Sequence, residues 1–228
     1  MNLLHVDRTI NDVRLRLQDC EGSRALNTIL NELQKDSYKL EPLFFQPGSV
    51  ILDIGAHVGT VAIYLAKKYP RSKIYCYEPL LENYANLLDN LANNGVVNVE
   101  PFQEAVSADG RPITLYPMWN NTGGSRSCPN THCDVNDKRI VLSRTLDDIF
   151  QRHAVESCAF LKFDTEGAEY TALPVTTVLP KVQHLGIEFH RTHDLDYVAE
   201  TRKLLAWLQR QNSAMTIAFS TTWKGDGP

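Results

Sequence analysis

Val50-Ile51-Leu52-Asp53-Ile54-Gly55-Ala56-His57-Val58-Gly59 is the stretch on which the reading of the fold turns. A short apolar run ends in a carboxylate and then in glycines, the pattern of a buried strand that turns sharply into a helix. That helix is expected over Gly59–Tyr69, where Val61, Ala62, Leu65 and Ala66 recur at helical spacing. Moving outward, Lys73–Tyr77 reads as a second strand. Leu80–Asn93 reads as a second helix, with Leu80, Tyr84, Leu87, Leu88 and Leu91 in register and Asn94-Gly95 as its stop. Val96–Phe102 is a third strand, Ala159–Phe163 and His184–Phe189 are two more buried ones, a helix crosses Asp196–Gln211, and Ala214–Thr221 closes the series. Strands alternating with helices of this length call for an α/β fold with a largely parallel sheet covered on both faces. In such sheets a ligand lies beyond the carboxyl ends of the strands, at the point where strand order reverses.

Before this core, residues 1–22 read as irregular or partly helical. A helix follows from Ser23 through Leu26, Ile29, Leu30 and Leu33 until Glu41-Pro42 and Gln46-Pro47-Gly48 break it. The expected division is a helical extension over 1–48 and the α/β domain over 49–228. Within that domain, 106–144 is an insertion on the substrate side: Pro112–Leu115 and Arg139–Leu142 pair around the loop Trp119–Asp137. Trp119, Asn120, Asn121, Gly123 and Gly124 suit a flexible lid.

The chain has 228 residues, 43% apolar and 22% charged, which fits one medium domain with a real core and excludes a mainly disordered chain. A net charge of −4 speaks against a nucleic-acid partner. No apolar stretch approaches the roughly 18–20 residues that span a bilayer. Asp7, Arg8, Asp12, Arg14, Arg16 and Asp19 break any secretory core, so no membrane partner and a cytoplasmic location are expected. Cys20, Cys76, Cys128, Cys133 and Cys158 read as reduced thiols. Cys128, His132 and Cys133 lie close together, but no second cysteine pair follows to complete a zinc knot, so a loop is the preferred reading.

Three clusters carry chemistry. In the first, Asp53 stands ahead of Gly55 and Gly59, which let the backbone turn and approach a ligand. This is not the G-x-G-x-x-G of a dinucleotide fold. A carboxylate there repels a pyrophosphate, which disfavours an NAD-dependent dehydrogenase, and it attracts an ammonium or a sulfonium. Second, Glu78 ends the next strand, where a carboxylate accepts both hydroxyls of a ribose. Together they favour S-adenosylmethionine. Asp53 is expected near the methionine amino end, Glu78 on the ribose, and Gln103, Glu104 and Ala105 at the adenine edge. Ala56, His57 and Pro79 lie in the same two turns, His57 within reach of the methionine carboxylate. Third, Lys162-Phe163-Asp164-Thr165-Glu166-Gly167-Ala168-Glu169 puts three carboxylates at the end of a buried strand, where they are costly unless paired or used.

Asp-Ile-Gly-Ala-x-x-Gly (53–59), Tyr-Glu-Pro (77–79), Ser143-Arg144-Thr145-Leu146-Asp147 and Lys-x-Asp-x-Glu-Gly-Ala-Glu (162–169) together resemble the FkbM-type methyltransferases. These are class I, S-adenosylmethionine-dependent enzymes, mostly O-methyltransferases of natural products or sugars. The resemblance runs from about Val50 to His190. It implies a Rossmann-like sheet of seven strands in the order 3-2-1-4-5-7-6, the seventh antiparallel. It also implies cofactor contacts at Asp53, Gly55, Glu78 and the Asp164 region.

Methyl transfer from a sulfonium is an in-line displacement, so the protein must position a nucleophile and help remove its proton. Asp164 and His190 are expected nearest the methyl group. Glu188, two residues before His190, shares its strand face and orients it. The same three residues form an O/N set able to hold Mg²⁺ or Mn²⁺; a plain strand-capping role for His190 is also open. The expected activity is O-methylation of a small-molecule hydroxyl. N-methylation of an amine and a non-catalytic nucleotide-binding module are the rivals.

Overall fold

A computed structural model describes residues 2–127, 133, 135–191 and 196–221. The chain opens with β1 (Leu3–Ile10), β2 (Val13–Cys20) and α1 (Ala25–Gln34). Then come β3 (Val50–Ile54), α2 (Thr60–Lys68), β4 (Lys73–Tyr77), α3 (Leu81–Asn93) and β5 (Val99–Phe102). The insertion supplies β6 (Ala105–Val106), β7 (Ile113–Leu115), β8 (Arg139–Val141) and β9 (Ser143–Arg144). The chain continues through α4 (Leu146–Arg152), β10 (Cys158–Phe163), α5 (Glu169–Ala172), β11 (His184–Phe189), α6 (Tyr197–Gln211) and β12 (Thr216–Thr221). None of the described helices is long and apolar enough to cross a membrane.

The main sheet has six strands in the order β5-β4-β3-β10-β11-β12, and each neighbouring pair is parallel. The 3-2-1-4-5 part of the expected order holds. The rest does not: the slot beside β11 holds β12, which runs parallel to it with Glu188 opposite Ser220. No antiparallel seventh strand is present among the described residues. The intervening α6 accounts for the direction, because a strand–helix–strand connection returns the chain parallel to where it left. Strand order reverses between β3 and β10, so the carboxyl ends of these two strands form the crevice.

The lead-in differs from expectation. Leu3–Cys20 is an antiparallel hairpin with Leu3 opposite Cys20, and α1 is the only helix described before residue 48. Asn11 and Asp12 have φ of 46° and 65°, the geometry of a two-residue turn that matches strand twist. Val13-Arg14-Leu15-Arg16-Leu17 alternates with a period of two, burying Leu15 and Leu17 and leaving the arginines outside. The hairpin is not a loose appendage. Ile10, Leu15 and Leu17 share one apolar cluster with Leu26 and Leu30 of α1, Val61 and Leu65 of α2, and Leu87 of α3. In the insertion, β7 and β8 pair antiparallel, with Ile113 opposite Val141, as the pattern predicts.

A fully buried asparagine fixes the hairpin in place. Asn90 Oδ1 accepts from Gln18 N at 2.8 Å, while its amide donates to Gln18 O at 3.0 Å and Val58 O at 2.9 Å. Removing it leaves one donor and two acceptors without partners. Asn90→Ala should therefore cost roughly 2–4 kcal/mol of unfolding free energy in urea titrations. A loss below about 0.5 kcal/mol would mean that the hairpin is held by apolar contact alone.

Candidate functional site

At the crevice the two central strands touch. A Cβ placed on Gly55 (φ 78°) would lie 1.7 Å from the carbonyl oxygen of Asp164, and one on Gly59 (φ 85°) would lie 2.4 Å from Leu87 Cδ1. Gly55 is therefore demanded by backbone packing within the protein, whereas at Gly59 it is the positive φ that favours glycine, since the tip of the Leu87 side chain can give way. Lys162 sits beneath them. Its Nζ lies 3.2 Å from Asp53 Oδ1 and 3.2 Å from Asp164 Oδ2, and donates to Gly55 O at 2.8 Å. The ammonium is 3% exposed and Asp53 not at all. Burial alone pulls a lysine toward neutrality, but Asp164 and Asp53 hold Lys162 above its ordinary range. Burial raises Asp53, an effect that Lys162 opposes.

Glu78 ends β4 with its carboxylate turned back under the glycine turn. Oε2 accepts from His57 N at 2.9 Å; Oε1 accepts from Leu80 N at 3.0 Å and Asn83 Nδ2 at 3.2 Å. Burial nevertheless pushes it up to about 7. The His57 ring joins a buried network that spans the chain. Ser23 Oγ accepts from the backbone N of Ala25 and of Thr122, so its own proton goes to Thr122 Oγ1 at 2.8 Å. Thr122 Oγ1 then donates to Asp19, 3.1 Å away, and accepts from His57 Nε2 at 2.7 Å. This donor count leaves His57 Nδ1 an unpartnered acceptor, and Asn83 Oδ1 is a second one. Burial lowers His57, in keeping with a neutral ring. Within the expected lid, the Thr122–Gly124 turn is buried at Thr122 and Gly124 and bonded to the hairpin and to α3.

The third group lies at the ends of β10 and β11. Glu169 accepts from His190 N at 2.7 Å and pairs with His190 Nδ1 at 3.2 Å, so Nε2 faces the crevice. There it stands 3.4 Å from Glu166 Oε1, 3.6 Å from Asp164 Oδ1 and 3.7 Å from Glu188 Oε1. Asp164 Oδ2 is taken by Lys162 and by the Tyr38 hydroxyl at 3.4 Å, and Glu166 Oε2 pairs with Arg126. Burial works against a charged His190, yet Glu166 and Glu169 hold it well above its ordinary value. Burial, reinforced by Asp164, pushes Glu188 up to about 8. Acids here outnumber the bases that answer them.

Two cavities flank this line of residues. One is lined by Gly55, His57, Glu78, Pro79, Glu104, Ala105 and Asp164 of the expected cofactor set. Asp53, Ala56, Gly59 and Gln103 do not line it: the first three are buried beneath it and Gln103 is exposed to solvent. Glu104 is further occupied by Arg144 at 3.1 Å and Arg152 at 2.7 Å. The other is lined by Asp164, Glu188 and His190 together with Glu32 and Glu166. The cavities share Ile29, Gly123, Asp164 and Glu166. Sequence reasoning gave no role to Asp19, Thr122 or Asn83, and it quoted Lys162 and Glu169 in the 162–169 motif without assigning them a place in the site. A lysine inside an otherwise apolar strand was the one local signal. Cys128 and His132 of the considered zinc knot lie outside the described residues.

The profile of the methyltransferase FkbM domain matches residues 53–214. The chain belongs to the FkbM methyltransferase family, and the matched domain is that of an S-adenosylmethionine-dependent methyltransferase. It is 29% identical over 153 residues to methyltransferase sdnD of Sordaria araneosa, covering 54% of this chain and 58% of that protein. It is 26% identical over 140 residues to the 2-O-methyltransferase NoeI of Sinorhizobium fredii, covering 56% of this chain and 57% of that one. The match thus spans little more than half the length of either relative. A structure of an rRNA methylase from Streptococcus thermophilus aligns over 84% of this chain and 72% of that one, at 9% identity and a TM-score of 0.38, too loose to bear on function.

The Lys162 triad makes a prediction about stability. Lys162→Met leaves Asp53 and part of Asp164 as unanswered buried charges, which should cost roughly 3–5 kcal/mol. Pairing it with Asp53→Asn should recover part of that loss in urea unfolding. Additive losses in the double variant would show that Asp53 and Lys162 are not coupled.

Proposed function

We propose that the protein is an S-adenosylmethionine-dependent O-methyltransferase acting on a hydroxyl of a small molecule. The observation that carries this reading is the pair of cavities meeting at Asp164 and Glu166. A sulfonium bound in the first and a hydroxyl bound in the second would face each other across that seam. The first cavity suits the cofactor by its unfilled acceptors. Glu78 keeps one lone pair, on Oε2, for a ribose hydroxyl, and His57 Nδ1 and Asn83 Oδ1 have no donor among the described residues. An Nδ1 lone pair welcomes the methionine ammonium and repels the carboxylate that sequence reasoning assigned to His57. Asp53 acts at one remove, by holding Lys162 under the turn.

Bound S-adenosylmethionine would supply an electrophilic methyl group to the acceptor oxygen, with the S–C electron pair kept by sulfur. The hydroxyl proton would leave to the acid cluster. Asp164 and Glu188, together with Glu32 and Glu166, are carboxylates lining the second cavity that could take it, with His190 between them. The cluster also bears on the choice between hydroxyl and amine. An amine entering among unanswered carboxylates is held as its ammonium, which has no lone pair to attack with. A hydroxyl is neutral and gains from the same groups. Small-molecule acceptors and a location away from membranes belong to this proposal as well.

Calorimetry should show S-adenosylhomocysteine binding at micromolar dissociation constants or tighter, and no binding of NAD. Mass spectrometry with methyl-labelled cofactor and a panel of hydroxylated metabolites should find a labelled ether. Tight NAD binding would overturn the reading. Glu78→Ala should weaken S-adenosylhomocysteine by roughly thirty- to a hundredfold, about 2–3 kcal/mol for a lost hydrogen bond to a charged, buried acceptor. An unchanged constant in a folded variant would remove Glu78 from the site.

A pH dependence follows from the same group. Glu78 in the free protein titrates near 7. A ribose hydroxyl donates to its anion, so binding favours the ionised form and affinity should fall as pH drops below 7, while Glu78→Gln should show a flat profile. For the free fold the sign is opposite. A carboxyl raised from 4.5 to about 7 contributes stability when protonated and loses it as pH climbs through that window.

A further inference from the structure

We infer that Asp164, Glu188 and His190 hold a divalent cation of the manganese type at the floor of the second cavity. The inference deepens the proposed function and rests on that reading only for the ion's use, not for its binding. Three potential ligand atoms, one from each residue, lie within 4.8 Å of one another. Convergence of acids alone would mean little; what matters is which atoms are left over. Asp164 has Oδ2 committed to Lys162 and Tyr38 and turns Oδ1 inward. His190, 98% buried, has Nδ1 committed to Glu169 and turns Nε2 to the same point. The Glu188 carboxylate accepts no hydrogen bond from any described residue and meets His190 Nε2 at 3.7 Å. Three potential ligand atoms thus lie close together, while the other polar atoms of Asp164 and His190 are taken by Lys162, Tyr38 and Glu169.

A proton on His190 Nε2 is the competing way to supply positive charge there. A charged N–H among carboxylates draws one of them to about 2.7–2.9 Å. None comes closer than 3.4 Å. The two proposed carboxylate ligands, at 3.6 and 3.7 Å, are too far for a hydrogen bond and stand roughly 0.6–0.7 Å wider of Nε2 than neighbouring ligands around a six-coordinate ion, which are about 3 Å apart when each bond is about 2.1 Å. Glu169 bonding Nδ1 is the outer carboxylate that usually orients a metal-bound imidazole. One nitrogen and two carboxylate oxygens favour Mn²⁺ over Mg²⁺ or Ca²⁺, which prefer oxygen alone. The ligands occupy one side, and the cavity lined by Thr28, Ile29 and Glu32 leaves the other side for the acceptor's oxygen.

The test is Mn²⁺ titration of metal-free full-length protein, followed by calorimetry and by the electron paramagnetic resonance of free Mn²⁺. S-adenosylhomocysteine affinity and melting temperature are measured on the same samples. The expected result is one Mn²⁺ per chain and weaker binding of Mg²⁺. Glu188→Gln should weaken Mn²⁺ at least tenfold, and Glu169→Gln, which touches only the imidazole, by roughly 10- to 100-fold. The inference is overturned if folded wild-type protein takes up no Mn²⁺, or if both variants bind it like wild type. Cofactor binding without Mn²⁺ uptake sinks the metal site and leaves the methyltransferase reading standing. Mn²⁺ uptake without cofactor binding does the reverse.

Discussion

The buried ammonium of Lys162 is the contact on which the site depends. Two adjacent strands, β3 and β10, carry acids near their carboxyl ends, and their backbones are so close that Gly55 has no room for a side chain beside the Asp164 carbonyl. Left alone, Asp53 and Asp164 would repel across that join. Lys162 lies between them and also donates to Gly55 O, so a single cation ties two strand ends and the start of the turn. A buried ion pair adds little net stability over well-packed apolar groups. It does fix geometry, because any slip of β10 against β3 would strand a charge.

That placement divides the labour among acids of one chemical type. Asp53 is buried beneath the turn and spends its charge on Lys162. Asp164 spends one oxygen on Lys162 and keeps the other for the cavity. Glu188, on the neighbouring strand, has no protein donor among the described residues. Glu169 looks inward to orient His190. Burial and partner supply, not residue type, separate structural carboxylates from those available to chemistry.

How much of this was legible in the sequence depends on the range of the signal. β4 and β11 fall where the apolar runs placed them, Lys73–Tyr77 and His184–Phe189, because buried parallel strands announce themselves locally. The strand-end acids were legible for the same reason. The hairpin was missed although Val13–Leu17 alternates strictly, since its Asn-Asp turn is a weaker cue than Asn-Gly. Nothing local to Asp19, Thr122 or Lys162 says that Asp19 meets Thr122 from 103 positions away, or that a β10 side chain crosses to β3. The seventh strand was expected from the family resemblance, not from this chain's own pattern, and there the expectation departed furthest from the structure.

The family segment begins at Asp53, yet much of the second cavity is built before it. Ala25, Thr28, Ile29 and Glu32 of α1 form one wall, and Tyr38 reaches Asp164. Across the site, Thr122 of the insertion is bound to Asp19 and Ser23 on one side and to His57 on the other. The hairpin and the insertion are thus joined to each other through the same hydroxyl that sets the tautomer of the glycine turn's histidine. A change in the hairpin or the insertion therefore acts on both cavities at once. On the proposed reading, the motif residues supply the methyl donor's seat, while the choice of acceptor is made by α1 and the Thr122 turn, the elements least constrained by the motif.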